Sequence, residues 1–263
     1  MKFRKQNNIK KILSIAGSDC SCGAGIQADI KTIQSLGGYC LTVVTNVTAQ
    51  NSKKVMGISN IPDSLICSQI NCLLHDYDID GIKIGLVSNI KTAKTLKKYF
   101  VKAEIPIIID PIFKSTTGFK FSSRTDYLRI QKKLMSFSNL IIPSILEAEL
   151  LLKSKIKNEI DMINASKLIS QKFDINVLIK GNELKKKKIT DICFFNNKVY
   201  KFKNRRIISS NKHGTGCTYS SAVTFFLAKG KSIEEAIFSA KDYISKSIKN
   251  APNFGLSYGP IKH

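Results

Sequence analysis

The residues most suited to chemistry form a glycine-rich segment at positions 213–218, His-Gly-Thr-Gly-Cys-Thr, immediately before an apolar stretch that predicts a helix. Gly214 and Gly216 allow successive backbone N–H groups to point the same way, and the N-terminus of a helix adds partial positive charge. The segment therefore predicts an anion-binding loop, which can stabilise the charge on a phosphoryl group during its transfer. A glycine turn that only caps a helix is the alternative.

A second glycine-rich segment, residues 23–28, reads Gly-Ala-Gly-Ile-Gln-Ala and matches the G-x-G-x-x-A pattern of dinucleotide-binding sites. Such sites use an acidic residue about 20 positions further on to bind the ribose hydroxyls. No Asp or Glu occurs between Asp29 and Asp63, although Lys53 and Lys54 could bind a 2′-phosphate. An NADP-dependent oxidoreductase is therefore one alternative. Neither glycine segment is followed by the lysine of a P-loop, which excludes that class of NTPase.

The elements that must position these segments alternate between strands and helices. Strands are predicted at residues 12–16, 41–47, 82–84, 107–109, 140–142, 177–179, 191–195 and 198–203, and helices at residues 26–36, 63–74, 91–100, 165–172, 218–228 and 233–250. This alternation predicts an α/β fold with a central, mostly parallel sheet flanked by helices on both faces. Ligands of such sheets bind beyond the carboxyl ends of the strands, so we expect both glycine segments to lie there.

Length and composition predict one domain over residues 1–263, with residues 1–10 as a flexible basic N-terminus. No apolar run approaches the ~20 residues of a membrane helix, and none near the N-terminus resembles a signal peptide. We therefore expect a cytoplasmic protein. Seven scattered cysteines, an odd number, argue against a disulfide framework, and the three distant histidines argue against a structural metal site.

The net charge of +23 raises the alternative of nucleic-acid binding. Only five of the 42 basic residues are arginine, the residue that reads bases and grips phosphates bidentately. No nucleic-acid-binding motif accompanies the charge. We attribute it to a general lysine bias together with an anionic substrate, and expect no nucleic-acid or membrane partner.

Taken together, the glycine segments resemble a known family. Residues 15–19 and 23–32 resemble the opening of hydroxymethylpyrimidine/phosphomethylpyrimidine kinases, which belong to the ribokinase-like superfamily. Further motifs follow in the family's order at residues 48–51, 83–85, 109–111, 178–181, 213–218 and 259–260. The likeness covers nearly the whole chain and implies a single ribokinase-like kinase domain, usually dimeric.

The resemblance implies an activity in thiamine biosynthesis. The γ-phosphate of ATP would be transferred to 4-amino-5-hydroxymethyl-2-methylpyrimidine and then to its monophosphate, with Mg²⁺ as the metal and a homodimer as the assembly. A pyridoxal-type kinase of the same superfamily is the alternative. Gln50 after Thr48-Ala49 favours the pyrimidine.

The resemblance also implies roles for individual residues. The catalytic loop would comprise Gly214, Thr215, Gly216 and Cys217, with Cys217 as a general base whose pKa the helix N-terminus lowers, or alternatively as a packing residue. Pyrimidine binding would fall to Gln50 and Asp29, with Gly17, Ala24, Leu86, Ile112 and Lys241 nearby. Asp110 and Glu147 would bind Mg²⁺, through water, and Lys180 would lie near the nucleotide phosphates.

Three departures from the family pattern bear on efficiency and substrate choice. Ser144 stands where the family has the asparagine of an Asn-x-x-Glu pair, so its reach towards a metal-bound water is shorter. The lid at residues 114–118 is two residues longer than the usual Lys-Ser-Gly. Asn182 and Glu183 replace Gly-His after the Lys-Gly motif.

Overall fold

A computed structural model describes residues 9–184 and 187–263, and it contains one nine-stranded sheet. In chain order the strands are β1 (Lys11–Asp19), β2 (Tyr39–Gln50), β3 (Val55–Asn60), β4 (Gly81–Ile84), β5 (Ile107–Ile109), β6 (Leu140–Ile141), β7 (Asn176–Ile179), β8 (Lys188–Phe195) and β9 (Lys198–Arg205). Their order in the sheet is β3-β2-β1-β4-β5-β6-β7-β8-β9. Six neighbouring strands of the sheet, β2, β1, β4, β5, β6 and β7, are parallel to one another. The antiparallel pairs lie at the two ends of the sheet, where β3 pairs with β2, and β8 pairs with β7 and β9. The predicted mostly parallel α/β fold is confirmed.

Among the described residues, eight α-helices cover the two faces of the sheet. They are α1 (Gly25–Ser35), α2 (Asp63–Asp76), α3 (Ile90–Phe100), α4 (Arg124–Met135), α5 (Ile145–Leu152), α6 (Glu159–Phe173), α7 (Thr215–Ala228) and α8 (Ile233–Lys249). Because side chains alternate along a strand, successive residues of β5 lie on opposite faces of the sheet. Ile107 and Ile109 pack in the core beneath α2 to α6, whereas Ile108 packs beneath α7 and α8. Both faces are therefore apolar, which explains why these strands read as unbroken hydrophobic runs.

The structure tests only some of the expectations that were drawn from composition. Most of the predicted basic N-terminus, residues 1–8, lies outside the described residues, and the single-domain assignment stays a prediction. Within residues 9–184 and 187–263, none of the helices has both the length and the apolar character needed to cross a bilayer.

Candidate active site

A cleft of about 530 Å³ runs along the edge of the sheet at which the parallel strands have their carboxyl ends. Residues one or two positions beyond strand ends supply part of its lining: Leu86 after β4, Asp110 after β5 and Lys180 after β7. The anion loop, defined as residues 213–217, lies along the same cleft. The fold thus brings together side chains that are far apart in sequence, as expected for a parallel sheet.

The anion loop has the geometry that its sequence predicts. Gly214 caps α7 with a φ of +84°, a left-handed conformation that glycine adopts at little cost. The backbone N–H groups of Gly216 and Cys217, in the first turn of α7, have no acceptor within the described part of the chain. Unpaired amides at a helix N-terminus are donors for an anion.

A lysine and an acid lie beside this loop. Lys180 Nζ is 2.9 Å from Asp110 Oδ1, and a Cβ added at Gly216 would be 3.6 Å from both Lys180 Nζ and Asp110 Oδ2. Burial disfavours the charged ammonium, but the carboxylates of Asp110 and Glu147 more than offset it and raise the pKa of Lys180. Lys180 is therefore a cation at neutral pH, next to the donors of the anion loop.

Glu147 is held by the helix that it begins. Ser144 is the N-cap of α5, its hydroxyl accepts from Glu147 N, and Glu147 Oε2 accepts from Ser144 N at 2.7 Å, a reciprocal capping box. Glu147 Oε1 accepts from Phe113 N at 3.3 Å. Burial raises the pKa of Glu147, and its neighbour Asp110 adds to the rise against the opposing charge of Lys180. Serine at position 144 therefore keeps the acid in place, although its hydroxyl is occupied.

The acids Asp110 and Glu147 fit the requirements of a magnesium ion. Mg²⁺ prefers hard oxygen ligands and is usually bound by one or two carboxylates, several waters and the phosphates of a substrate. The charge of Asp110 also helps to raise the pKa of the buried Glu147, so a cation bound between the two carboxylates would relieve their repulsion. Among the described residues no group of three or more His, Cys, Asp and Glu side chains clusters as a dedicated metal cage.

Cys217 lies on the first turn of α7, lines the cleft and is 7% exposed. Burial raises the pKa of its thiol to about 12, although the nearby Lys83 opposes the rise. The prediction that the helix N-terminus lowers this pKa is therefore wrong for the protein without ligands. Because the thiol is buried beneath the cleft surface, the loss of hydration around the thiolate raises its pKa more than the charge of Lys83 and the hydrogen bond from Gly25 lower it.

The residues predicted to hold the pyrimidine meet at one end of the cleft, here called the acceptor end. Five of them line it: Gly17, Ala24, Gln50, Leu86 and Ile112. The thiol of Cys20 fixes the backbone of Gln50, accepting from its N–H at 3.4 Å and donating to its carbonyl at 3.2 Å. The side-chain amide of Gln50 has no partner within residues 9–184 and 187–263, so it can bind a ligand.

The lengthened lid forms a small hairpin over the cleft. Lys114 and Lys120 pair as an antiparallel bridge, and Ser115 N donates to Phe119 O at 2.8 Å. Lys114, Ser115 and Thr116 line the cleft, whereas Lys120 does not. The two extra residues are therefore accommodated within the turn of the hairpin.

The opposite end of the cleft, here called the apolar end, was not predicted from the sequence. It is lined by Ile189 on β8, by Ile207 after β9, and by Ile244 and Ile248 on α8. The spacing of Ile244 and Ile248, one helical turn apart, reads in the sequence as an ordinary core stripe. Only the tertiary structure shows that this stripe faces an open cleft.

Comparisons with known proteins agree with this geometry. The sequence profile of the family described as "Phosphomethylpyrimidine kinase" matches residues 19–262. The chain belongs to this family. A hydroxymethylpyrimidine/phosphomethylpyrimidine kinase from Staphylococcus aureus strain MSSA476 is 34% identical over 257 residues, which cover 97% of this chain and 93% of that protein. The family's members are phosphotransferases, and this chain is one of them.

Some relatives of the family are longer proteins. The thiamine biosynthesis bifunctional protein ThiED from Geobacter sulfurreducens is 35% identical over 256 residues, which are 96% of this chain but only 52% of that protein. The chain thus spans about half the length of this bifunctional relative. Among solved structures, a pyridoxal kinase from Staphylococcus aureus in complex with ADP matches with a TM-score of 0.89 and 29% identity, covering 98% of this chain and 94% of that one.

One residue assigned to the pyrimidine by the family resemblance does not reach the cleft. Asp29 is fully buried, and its carboxylate accepts from Lys83 Nζ at 2.8 and 2.9 Å, Ser14 Oγ at 2.5 Å and Ser221 Oγ at 2.7 Å. Both oxygens are therefore occupied by groups of the fold. The prediction that Asp29 contacts the substrate is corrected to a structural role beneath the anion loop.

Lys241 was predicted to lie at the acceptor end, and the structure places it elsewhere. Its Nζ lies 2.6 Å from Asp191 Oδ2 on β8 and donates to the carbonyl of Phe202 at 3.1 Å. In the sheet, β8 is five positions from β1, about 24 Å at the ~4.8 Å spacing of neighbouring strands. Lys241 therefore belongs to the apolar end, where Asp191 already neutralises it.

The dinucleotide-binding alternative fails for a local reason in addition to family membership. The N–H groups of Gly23 and Ala24 donate to Asp19 Oδ2 at 3.1 and 2.8 Å. A pyrophosphate needs such amides unpaired. The turn that matches the G-x-G-x-x-A pattern is thus satisfied by its own acid and has no amides left for a second anion.

Proposed function

We propose that this chain transfers the γ-phosphate of ATP to the hydroxymethyl group of 4-amino-5-hydroxymethyl-2-methylpyrimidine, and then phosphorylates the monophosphate to the diphosphate, in thiamine biosynthesis. The observation that carries the proposal is the order of groups along the cleft. The anion loop, with Lys180 and Asp110 beside it, lies between the acceptor end and the apolar end. This is the arrangement that a two-substrate phosphotransferase needs.

Each part of the cleft has a task in this proposal. Gln50 orients the aminopyrimidine, because a side-chain amide can both donate to and accept from its edge. The isoleucines of the apolar end pack against the adenine, and the amides of Gly216 and Cys217 stabilise the charge on the transferred group. Lys180 neutralises the nucleotide phosphates. Asp110 and Glu147 would hold Mg²⁺, whose charge shields the phosphates when it is bound.

The test is a coupled assay of ADP release with Mg-ATP and the pyrimidine as acceptor, on wild type and on Gln50→Ala. We expect turnover by wild type and an increase in KM for the pyrimidine of roughly 2- to 13-fold in the variant, which corresponds to the ~0.5–1.5 kcal/mol of a neutral hydrogen bond. Wild-type protein that is folded yet releases no ADP above background would refute the proposal. A rise in KM for ATP alone would reject the role of Gln50.

A pyridoxal-type kinase is the second candidate, favoured by the similarity to the pyridoxal kinase structure. Pyridoxal in place of the pyrimidine in the same assay decides between them, since the better acceptor has the higher kcat/KM. We also propose Mg²⁺ as the metal, a homodimer as the assembly and the cytoplasm as the location. Removal of divalent cations with EDTA should abolish turnover, and light scattering should give twice the mass of the 29.3 kDa chain.

The second phosphorylation needs a cation at the acceptor, and we predict that Lys114 provides it. Lys114 lines the cleft and has no ion pair among the described residues, whereas Lys241 is neutralised by Asp191. Lys114→Met should lower kcat/KM for the monophosphate roughly 10- to 100-fold, the size of a lost charge-assisted hydrogen bond. The first phosphorylation should change much less, and added salt should weaken mainly the second.

Lys120→Met is the matched control for this prediction. It removes the same charge from the other strand of the same hairpin but lies outside the cleft lining. Equal losses in both phosphorylation steps for Lys114→Met would assign Lys114 to ATP or to lid closure. Equal effects of the two variants would mean that only the overall charge matters.

A further inference from the structure

A buried hydrogen bond joins the two glycine-rich loops of the cleft. His213 Nε2 lies 2.8 Å from Asp19 Oδ2, with His213 7% and Asp19 1% exposed. Asp19 is the last residue of β1 and begins the loop that leads to α1, whereas His213 directly precedes Gly214 of the anion loop. The bond therefore connects the acceptor end of the site to the donors of the transferred phosphate.

Asp19 accepts hydrogen bonds from residues of its own loop as well as from His213. Its Oδ1 accepts from both the N–H and the hydroxyl of Ser21, and its Oδ2 accepts from the N–H groups of Gly23 and Ala24 and from His213. Although burial opposes ionisation, the hydrogen bonds from His213 and Ser21 hold the pKa of Asp19 well below its usual range. The carboxylate is thus an acceptor for several donors, and His213 must be the donor in their bond.

The backbones of the two loops also touch. A Cβ added at Gly214 would overlap the carbonyl oxygen of Gly23, and one added at Gly23 would overlap the ring of His213. From the other side, His213 N donates to Gly259 O at 3.1 Å. The loops consequently cannot shift against each other without breaking the bond between Asp19 and His213.

From this geometry, we propose that Asp19 and His213 are positioning residues that fix the distance between the acceptor hydroxyl and the anion loop. The inference rests on the proposed kinase function, because it assigns the acceptor to the end of the cleft beside Asp19. Phosphoryl transfer depends chiefly on the alignment of two bound substrates, and a small misplacement lowers the rate strongly. Loss of the bond should therefore reduce kcat while leaving both KM values nearly unchanged.

Two amide substitutions at position 213 separate the hydrogen bond from the bulk of the side chain. Glutamine can place a donor where His213 has Nε2, whereas asparagine is shorter and places its donor nearer the position of Nδ1. His213→Asn should lower kcat about 10- to 100-fold, and His213→Gln should stay within about threefold of wild type. Asp19→Asn removes an acceptor from the other partner and should resemble His213→Asn.

Amide hydrogen exchange, followed by mass spectrometry on ligand-free protein, gives a readout that does not need catalysis. In His213→Asn, exchange in residues 19–25 and 213–218 should be faster than in wild type, and in His213→Gln it should not. Equal kcat and equal exchange in the two variants would overturn the proposal, as would a change confined to KM. If wild type phosphorylates no pyrimidine, the proposed function fails, and the exchange comparison alone decides whether this bond holds the loops together.

Discussion

Replacing Cys217 with alanine is expected to lower kcat by roughly 10²- to 10⁴-fold, the range for loss of a positioned general base. Cys217 lines the cleft at the first turn of α7, so its thiolate form can receive the proton that the acceptor hydroxyl loses. Cys217→Asp should retain more activity than Cys217→Ala, because a carboxylate can take the same proton. The measurement is kcat at saturating ATP and pyrimidine.

Cys193→Ala is the matched control for that experiment. Cys193 is fully buried on β8, outside the cleft lining, so its removal tests the loss of a buried thiol without loss of a base. Its kcat should remain close to that of wild type. If Cys217→Ala also has a nearly normal kcat, the cysteine only packs the start of α7.

The raised pKa of the Cys217 thiol restricts how this residue can act as a general base. With a pKa of about 12 in the ligand-free protein, the thiol is neutral at pH 7 and reacts slowly with alkylating agents. Iodoacetamide should therefore modify the exposed Cys20, Cys22 and Cys72 before Cys217. A neutral thiol cannot accept a proton, so the role of base requires the thiolate, which must form when the substrates bind, with the thiol proton released to solvent. The positive charge of the nearby Lys83 favours the thiolate.

Most of the fold follows from the sequence because its signals are local. Apolar β-branched runs mark the strands, and the prediction of residues 107–109 coincides with β5. Three elements were missed: β3, α4 and α5. In β3 only Val55 is buried, so its pattern does not alternate, and α4 is rich in charged residues around a narrow buried stripe. These elements depend on tertiary contacts more than on their own sequence.

The sequence predicted some residues of the site correctly and others wrongly, whereas it predicted most elements of the fold. Residues next to strand ends, such as Asp110, Lys180 and Gln50, lie on the cleft because the topology of a parallel sheet puts strand ends together. Asp29 and Lys241 lie on helices, where the sequence does not say which face meets the cleft and which meets a buried partner. Both carry charges that pair with an opposite charge inside the protein, on strands remote in sequence.

The buried pair of Asp29 and Lys83 leads to the second large expected effect, on stability. Both side chains are 0% exposed, and no other acid or base among the described residues forms an ion pair with either. Lys83→Met would leave the carboxylate buried without its counter-charge, so the free energy of unfolding should fall by roughly 3–5 kcal/mol. Asp29→Asn should cost a similar amount by leaving the ammonium unpaired.

The double variant tests whether the pair acts as a unit. Asp29→Asn combined with Lys83→Met removes both charges and should recover most of the loss, since no uncompensated charge remains. Lys10→Met is the control: Lys10 pairs with Asp80 at the surface, and loss of such a pair changes stability by ~1 kcal/mol or less. Urea unfolding of the four variants provides the comparison.

The pH dependence of this stability has a definite sign. Burial lowers the pKa of Lys83, but the charge of Asp29 more than offsets it, so the pKa in the folded protein is raised above its ordinary value. The contribution of Lys83 is therefore fully present below the ordinary lysine pKa of ~10.4 and is lost only as the pH rises through the higher folded value. In wild type, urea unfolding should therefore show no loss of the Lys83 contribution between pH 6 and pH 9.

Asp29→Asn finally separates a structural carboxylate from one that binds substrate. Asparagine is close in shape, so a direct contact with the pyrimidine would appear as a raised KM with little change in stability. The enclosed position of Asp29 predicts the reverse, a large loss of stability with KM for the pyrimidine nearly unchanged in the fraction that remains folded. Because Ser221 donates to Asp29 one turn beyond Cys217 on α7, kcat should fall with stability, as the start of that helix loosens. An increase in KM alone would return Asp29 to the acceptor end of the cleft.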